Sequence, residues 1–169
     1  MTDDLALPDP LAAARALPPG SIVIVRAREA QRRAQRALAL RAIARARGLI
    51  LLIADDPHLA GALGANGLHL PEARTREAAH WRALHPGWLI TAAAHSLRAA
   101  LLATHVDALL LSPVFATRSH AEARPLSAAK ARLIARAVPV PLFALGGVTA
   151  QTANQLTGFA GLAAIRALA

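Results

Sequence analysis

The sequence has no cysteine, a single lysine (Lys130) and only 3% aromatic residues. Without cysteine there can be no disulfide framework, no thiolate nucleophile and no zinc–thiolate site. This fits a reducing, cytoplasmic setting. The scarcity of aromatics leaves little to stack on exposed bases, so nucleic acid is disfavoured as a partner even though the net charge is +9. Long hydrophobic runs are also missing. The apolar run 49–54 is too short to cross a bilayer, so no membrane partner is expected. The first twenty residues carry Asp3, Asp4 and several prolines rather than a basic start and an apolar stretch, and do not read as a secretory signal.

What is present is apolar and arginine-rich. Hydrophobic residues make up 55% and charged residues 17%, which argues against disorder. A chain of 169 residues suits one domain, taken as 1–169, with enough length for a proper core. Most of the arginines read as the solvated faces of Ala/Arg-rich helices. Short β-like runs are expected at 22–26, 49–54, 67–70, 88–92, 108–111, 142–145 and 162–165. They are apolar on both faces, as buried parallel strands are. Helical runs are expected at 29–47, 57–63, 75–84, 96–104, 127–137 and 151–156, with Ser96, Ser127 and Thr75 as caps and Pro57 in a first turn. Such alternation predicts a parallel sheet with right-handed crossovers. No G-x-G-x-x-G follows the first strand, which favours a barrel over an open dinucleotide-binding sheet. A (β/α)8 barrel has eight strands in about 250 residues. Seven are found here, so the barrel is expected to lack all or most of its first strand, or to have it upstream of Met1.

In such a barrel chemistry gathers at the carboxyl ends of the strands. Taken in order, those ends carry Arg26 and Arg28, then Asp55 and Asp56, His69, His95, the group Ser112, Thr117, Ser119 and His120, then Gly146, Gly147 and Thr149, and finally Arg166. Polar residues recurring at one end of apolar strands carry more weight than any one of them. The Gly146-Gly147-Val148-Thr149 turn has two readings. Glycines allow close backbone approach to an anion, or this is a tight turn with a Thr cap. The loop 112–125 offers Thr117, Arg118, Ser119 and His120 as phosphate donors, or it is a solvated surface loop with Arg118 and Arg124 in water. Asp56 before Pro57 reads as a helix cap, and Asp55 stays open as a Mg²⁺ ligand. His58, His80, His85 and His105 lack metal-ligand spacing and read as surface residues.

These motifs resemble one family in order along the chain. Gly64-Ala65-Asn66-Gly67-Leu68-His69-Leu70-Pro71-Glu72, Ala94-His95-Ser96, the stretch from Asp107 to Thr117 with Leu111-Ser112-Pro113-Val114-Phe115-Ala116-Thr117, the stretch from Pro141 to Thr149, and Gly161-Leu162-Ala163-Ala164-Ile165 resemble the thiamine-phosphate synthase/TenI superfamily. The resemblance implies a (β/α)8 barrel whose mouth binds a thiazole phosphate or thiamine phosphate. It also makes Met1-Thr2-Asp3 similar to the tail of the family's first strand. By this resemblance the phosphate falls to Gly146, Gly147, Thr117, Ser119 and His120, with Arg26, Arg28 and His69 near substrate or pyrophosphate. Asp55 matches a metal carboxylate, and Mg²⁺ is implied only if the chain is a working synthase.

The pattern departs from the synthases in several places. Ala54 stands where they have Asn, and Ala93 where they have Ser. Ser119 and His120 stand where they have Thr and Lys. The second metal carboxylate falls near Ala73 and Arg74 and is lost, with Glu72 as a conceivable substitute. The leading expectation is therefore a TenI-like thiazole tautomerase with His95 as acid and base. The alternatives are a Mg²⁺-dependent thiamine-phosphate synthase joining thiazole phosphate to hydroxymethylpyrimidine pyrophosphate, and a non-catalytic basic binding protein using Arg28, Arg32, Arg36 and Arg47. Family members often pair, which raises a homodimer as a partner arrangement.

Overall fold

Seven parallel strands stand side by side in chain order, each paired with the next. The computed structural model describes residues 1–4, 7–117 and 124–165. The strands are β1 (Ile22–Val25), β2 (Ile50–Ala54), β3 (Gly67–Leu70), β4 (Leu89–Ala94), β5 (Ala108–Leu111), β6 (Leu142–Ala144) and β7 (Gly161–Leu162). Helix α1 (Pro10–Ala16) precedes β1, and α2 (Ala30–Arg47), α3 (Pro57–Leu63), α4 (Ala78–Leu84), α5 (Leu97–Leu102), α6 (Ala128–Ala137) and α7 (Ala150–Ala153) lie between successive strands. The sheet curls into a TIM-like barrel that lacks one strand, as expected from the strand count.

Strand alternation sorts the core into layers. Ile24, Leu52, Ala54, Leu110 and Leu145 point inward and meet inside the curl. Val23, Val25, Leu51 and Ile53 point outward and pack under Ala37, Leu40 and Ala44 of α2. Leu68, Leu70, Ile90, Leu109 and Leu111 extend that outer layer, where Ile134 of α6 packs onto it. At about 25 cal/mol per Å² of apolar surface, each buried Leu or Ile contributes roughly 2 kcal/mol.

Residues 1–2 sit in the seam between β1 and β7. The Met1 amine donates to the Ala164 carbonyl at 3.1 Å. The Thr2 N–H donates to the Ile24 carbonyl at 2.9 Å. The Thr2 hydroxyl donates to the Arg26 carbonyl and accepts the Arg26 N–H, both at 2.8 Å. Met1-Thr2 thus lies where the resemblance puts the tail of a first strand.

Local chemistry explains most element starts. Asp56 accepts the Leu59 N–H at 2.9 Å with Pro57 at the helix start, and Ser96 accepts the Ala99 N–H at 3.1 Å. Ser127 caps α6. Thr75 is not a cap. It lies inside a 3₁₀ segment, Glu72–Glu77, and its hydroxyl donates to the Glu72 carbonyl, so the regular helix begins only at Ala78. Helix α1 was not expected from the apolar periodicity. Its signal is Asp9 before Pro10, where the Asp9 carboxylate accepts the N–H groups of Leu11 and Ala12.

Candidate functional site

A cavity of about 720 Å³ opens at the carboxyl ends of the strands. Its walls include Arg26, Arg28, Asp55, His69, His95, Ser112, Thr117, Gly146 and Gly147. The fold therefore brings together strand-end residues that are far apart in sequence. Ser119 and His120, with Arg118 and Arg166, lie outside the described residues.

His95 is held from two sides. Its backbone N–H donates to the Glu72 carboxylate at 2.6 Å. Its ring Nδ1 lies 2.7 Å from the Ser112 carbonyl. A carbonyl can only accept, so Nδ1 carries the hydrogen and the neutral ring keeps its lone pair on Nε2. That is the tautomer an acid/base group needs. Glu72, noted in the sequence only as a substitute metal ligand, is the residue that anchors His95.

His69 is different in kind. It is 6% exposed, and its Nδ1 is 2.9 Å from the hydroxyl of buried Thr91. Burial, then the nearby Met1 ammonium and Arg26, push its pKa down to about 4. The ring is neutral at pH 7 and can offer a hydrogen bond but no charge. Thr91 gave no signal in the sequence because a Thr is at home in an apolar strand.

The Gly146-Gly147 turn packs against the loop that follows β5. A Cβ on Gly147 would sit 2.4 Å from the Ala116 carbonyl oxygen, and one on Gly146 would sit 2.8 Å from Pro113 Cα. Both glycines have positive φ, +92° and +64°. The Phe115 N–H donates to the Gly146 carbonyl at 3.0 Å. Among the described residues the N–H groups of Gly146, Gly147 and Val148 have no acceptor. The turn is thus a structural clasp on the loop and also a row of free donors in the cavity wall. Thr149 joins Thr152 in a capping box just beyond it.

The charges around the mouth are largely paired. Arg26 lies 3.5 Å from Asp3, Arg33 3.0 Å from Asp56, and Arg36 2.8 Å from Asp4. The Arg28 N–H donates to Asp4 and, with the Arg36 guanidinium, holds the Asp4 carboxyl below its usual range. Arg28 is exposed, and among the described residues its guanidinium makes no ion pair. Asp55 pairs with Arg74 from the 3₁₀ segment. Arg74 also grips Glu77 through Nε and Nη2, both at 2.7 Å. This fork draws the Glu77 carboxyl down to about 2 and raises the Arg74 pKa. A hard divalent cation needs several oxygens around it. Among the described residues no three His, Cys, Asp or Glu side chains are placed to hold one. The donor set at Asp55, one carboxylate joined to a guanidinium, does not fit Mg²⁺.

His58, His80 and His85 gather instead around two tryptophans on the outer face, with His85 stacked on Trp88 at 3.7 Å. No described helix is long and apolar enough to cross a membrane.

The family model for thiamine monophosphate synthase (TMP-TENI) matches residues 7–168. The chain belongs to this thiamine-biosynthesis family. A thiamine-phosphate synthase of Albidiferax ferrireducens is 34% identical over 160 residues, covering 88% of this chain and 72% of that protein. One from Methanoculleus marisnigri is 36% identical over 137 residues, covering 78% of this chain. The match spans just under two thirds of the Methanoculleus protein, 65% of its length. Among solved structures, thiamine phosphate pyrophosphorylase from Pyrococcus furiosus aligns with TM-score 0.78 and 25% identity, over 97% of this chain and 82% of that one. An N-(5'-phosphoribosyl)anthranilate isomerase from the same organism shares the fold alone, with TM-score 0.64 and 12% identity.

Proposed function

We propose that the barrel mouth binds a thiazole carboxylate phosphate and that His95 moves a proton on it, as in the TenI-type tautomerases. The observation that carries this reading is the His95 ring, pinned through Nδ1 on the Ser112 carbonyl with Nε2 left as the base. In the forward step Nε2 accepts a proton from a ring carbon of the thiazole. The electron pair left behind shifts through the adjoining double bonds, and the imidazolium returns the proton to the carbon at the far end of that conjugated system. The double bonds thus move, the ligand changes tautomer and the enzyme is restored. The N–H groups of Gly146 and Gly147, with Thr117, receive the phosphate. Arg28, whose guanidinium makes no ion pair among the described residues, faces the ligand's carboxylate. Buried His69, hydrogen-bonded to Thr91, lies in the wall as a neutral polar contact, suited to a heterocycle rather than to a phosphate.

The test is turnover of the thiazole carboxylate phosphate in EDTA, followed by NMR. His95→Ala should lose turnover by about two to four orders of magnitude and keep ligand binding. Unchanged turnover in that variant removes His95 from the mechanism.

A second reading, synthase activity, is favoured by the names of the relatives and of the solved structure. It requires thiamine phosphate to form from hydroxymethylpyrimidine pyrophosphate and thiazole phosphate only when Mg²⁺ is present, and to be lost in Asp55→Ala. HPLC of the product, with and without Mg²⁺, separates the two readings.

A further inference from the structure

We propose that the guanidinium of Arg74 occupies the place on Asp55 that a divalent cation would otherwise take, so that this barrel mouth receives its anionic ligand without metal. The second half of that statement rests on the reading of the mouth as a phosphate site. The first half stands on the ion-pair geometry alone.

Asp55 is the carboxylate that follows β2 and faces the cavity. Its position is fixed by the backbone. The residue has φ +58°, a conformation that Asp tolerates better than most residues, and its N–H donates to the His69 carbonyl at 2.9 Å. Arg74 reaches the same carboxylate from the 3₁₀ segment after β3. It does not swing freely. Nε and Nη2 form a two-pronged bond to Glu77, and Glu77 is steadied in turn by the Trp81 indole N–H at 3.2 Å. A fork held this way presents its remaining Nη1 to Asp55 in one geometry, which a lysine on the same backbone could not reproduce.

The other carboxylates around the mouth also have partners. Asp56 caps α3 with one oxygen and pairs with Arg33 through the other. Glu72 accepts the His95 N–H. Asp3 pairs with Arg26. A divalent ion would have to share these carboxylates with donors already seated on them, and at Asp55 it would sit beside a fixed guanidinium. Arg74 offsets the charge of the Asp55 carboxylate at the cavity wall, a charge that would otherwise repel a bound anion.

The experiment titrates Mn²⁺ into the protein and follows the EPR signal of the free ion. The wild type should bind no ion up to about 1 mM, the weak end of protein divalent sites. Arg74→Asp should open a site that is lost again in Arg74→Asp combined with Asp55→Asn. Circular dichroism confirms that each variant is folded, and Arg74→Gln serves as a second variant that removes the charge without adding a carboxylate. One Mn²⁺ bound by the wild type and lost in Asp55→Asn would overturn the proposal. In parallel, inorganic pyrophosphate is titrated calorimetrically in EDTA and in Mg²⁺. Affinity in the wild type should be the same in both. A gain of an order of magnitude or more in Mg²⁺, abolished by Asp55→Asn, would also overturn it. Absence of pyrophosphate binding in every condition would sink the phosphate reading of the mouth, while the Mn²⁺ titration still decides the role of Arg74.

Discussion

Replacing Gly147 by alanine tests whether the turn after β6 is a clasp or a bystander. Two costs are expected. The backbone at φ +64° is left-handed, which disfavours any Cβ by about 1–2 kcal/mol. The added methyl would also lie 2.4 Å from the Ala116 carbonyl oxygen and 2.7 Å from Phe115 Cβ. One neighbour is backbone, so relief requires the loop after β5 to move, at about 1–3 kcal/mol. Lower entropy of the unfolded chain returns about 0.4–1 kcal/mol. The net loss is roughly 2–4 kcal/mol. For a chain of this size that lowers Tm by about 5–15 °C. Gly64→Ala is the control, because Gly64 has φ +55° but open space where its Cβ would go. It should lose only the conformational part, about 1 kcal/mol. Urea unfolding of both variants, with phosphate binding measured by calorimetry, completes the assay. If Gly147→Ala and Gly64→Ala cost the same, the packing argument is wrong.

Three further outcomes are expected. The folded pKa of His69 is about 4, below its ordinary 6.5, so the unfolded chain takes up the proton first. Stability should fall as pH drops through that window, by about 2 kcal/mol between pH 7 and pH 5, and His69→Leu should remove that part of the slope in urea titrations at the two pH values. Glu77 is held near 2 by Arg74, so its smaller, solvent-screened contribution is present above about 4.5 and fades as pH falls toward 2. Arg74→Gln should move the Glu77 titration seen by NMR back to the ordinary carboxylate range, and no movement would break the link. The Asn66 side chain accepts the N–H of buried Leu51 at 2.8 Å. Asn66→Ala should cost about 1–2 kcal/mol, read as a lower urea midpoint.

Strands β1 to β6 were legible because buried parallel strands are apolar on both faces, and Gly and Pro punctuate them. The site was legible at the level of position. His95, Asp55 and Gly146-Gly147 follow strands, and a barrel collects such residues at one mouth. What the sequence concealed were partnerships across elements. Arg74 and Asp55 are nineteen residues apart and meet only because β2 and β3 are neighbours. Glu72 and His95 are joined in the same way across β3 and β4. Thr75 misled because a hydroxyl before Ala-rich sequence can cap a helix or bond back within a 3₁₀ turn, and residue type does not choose between them. The last strand shrank to Gly161–Leu162, since small residues pack as well beside a strand as within it.

The seam between β1 and β7 has a kinetic meaning. Every strand pairing in the sheet joins sequence neighbours, so the curl can grow by adding one strand and helix at a time. The bond from Met1 to Ala164 spans 163 residues and can form only after the rest is in place. Closing so long a loop adds entropy cost for one hydrogen bond. The seam should therefore be the last part to close and the first to open. In native-state hydrogen exchange the Thr2 amide, bonded to Ile24 but left as a lone edge once Met1 parts from Ala164, would lose protection well before those of Leu52 and Leu109, which lie in the middle of the ladder.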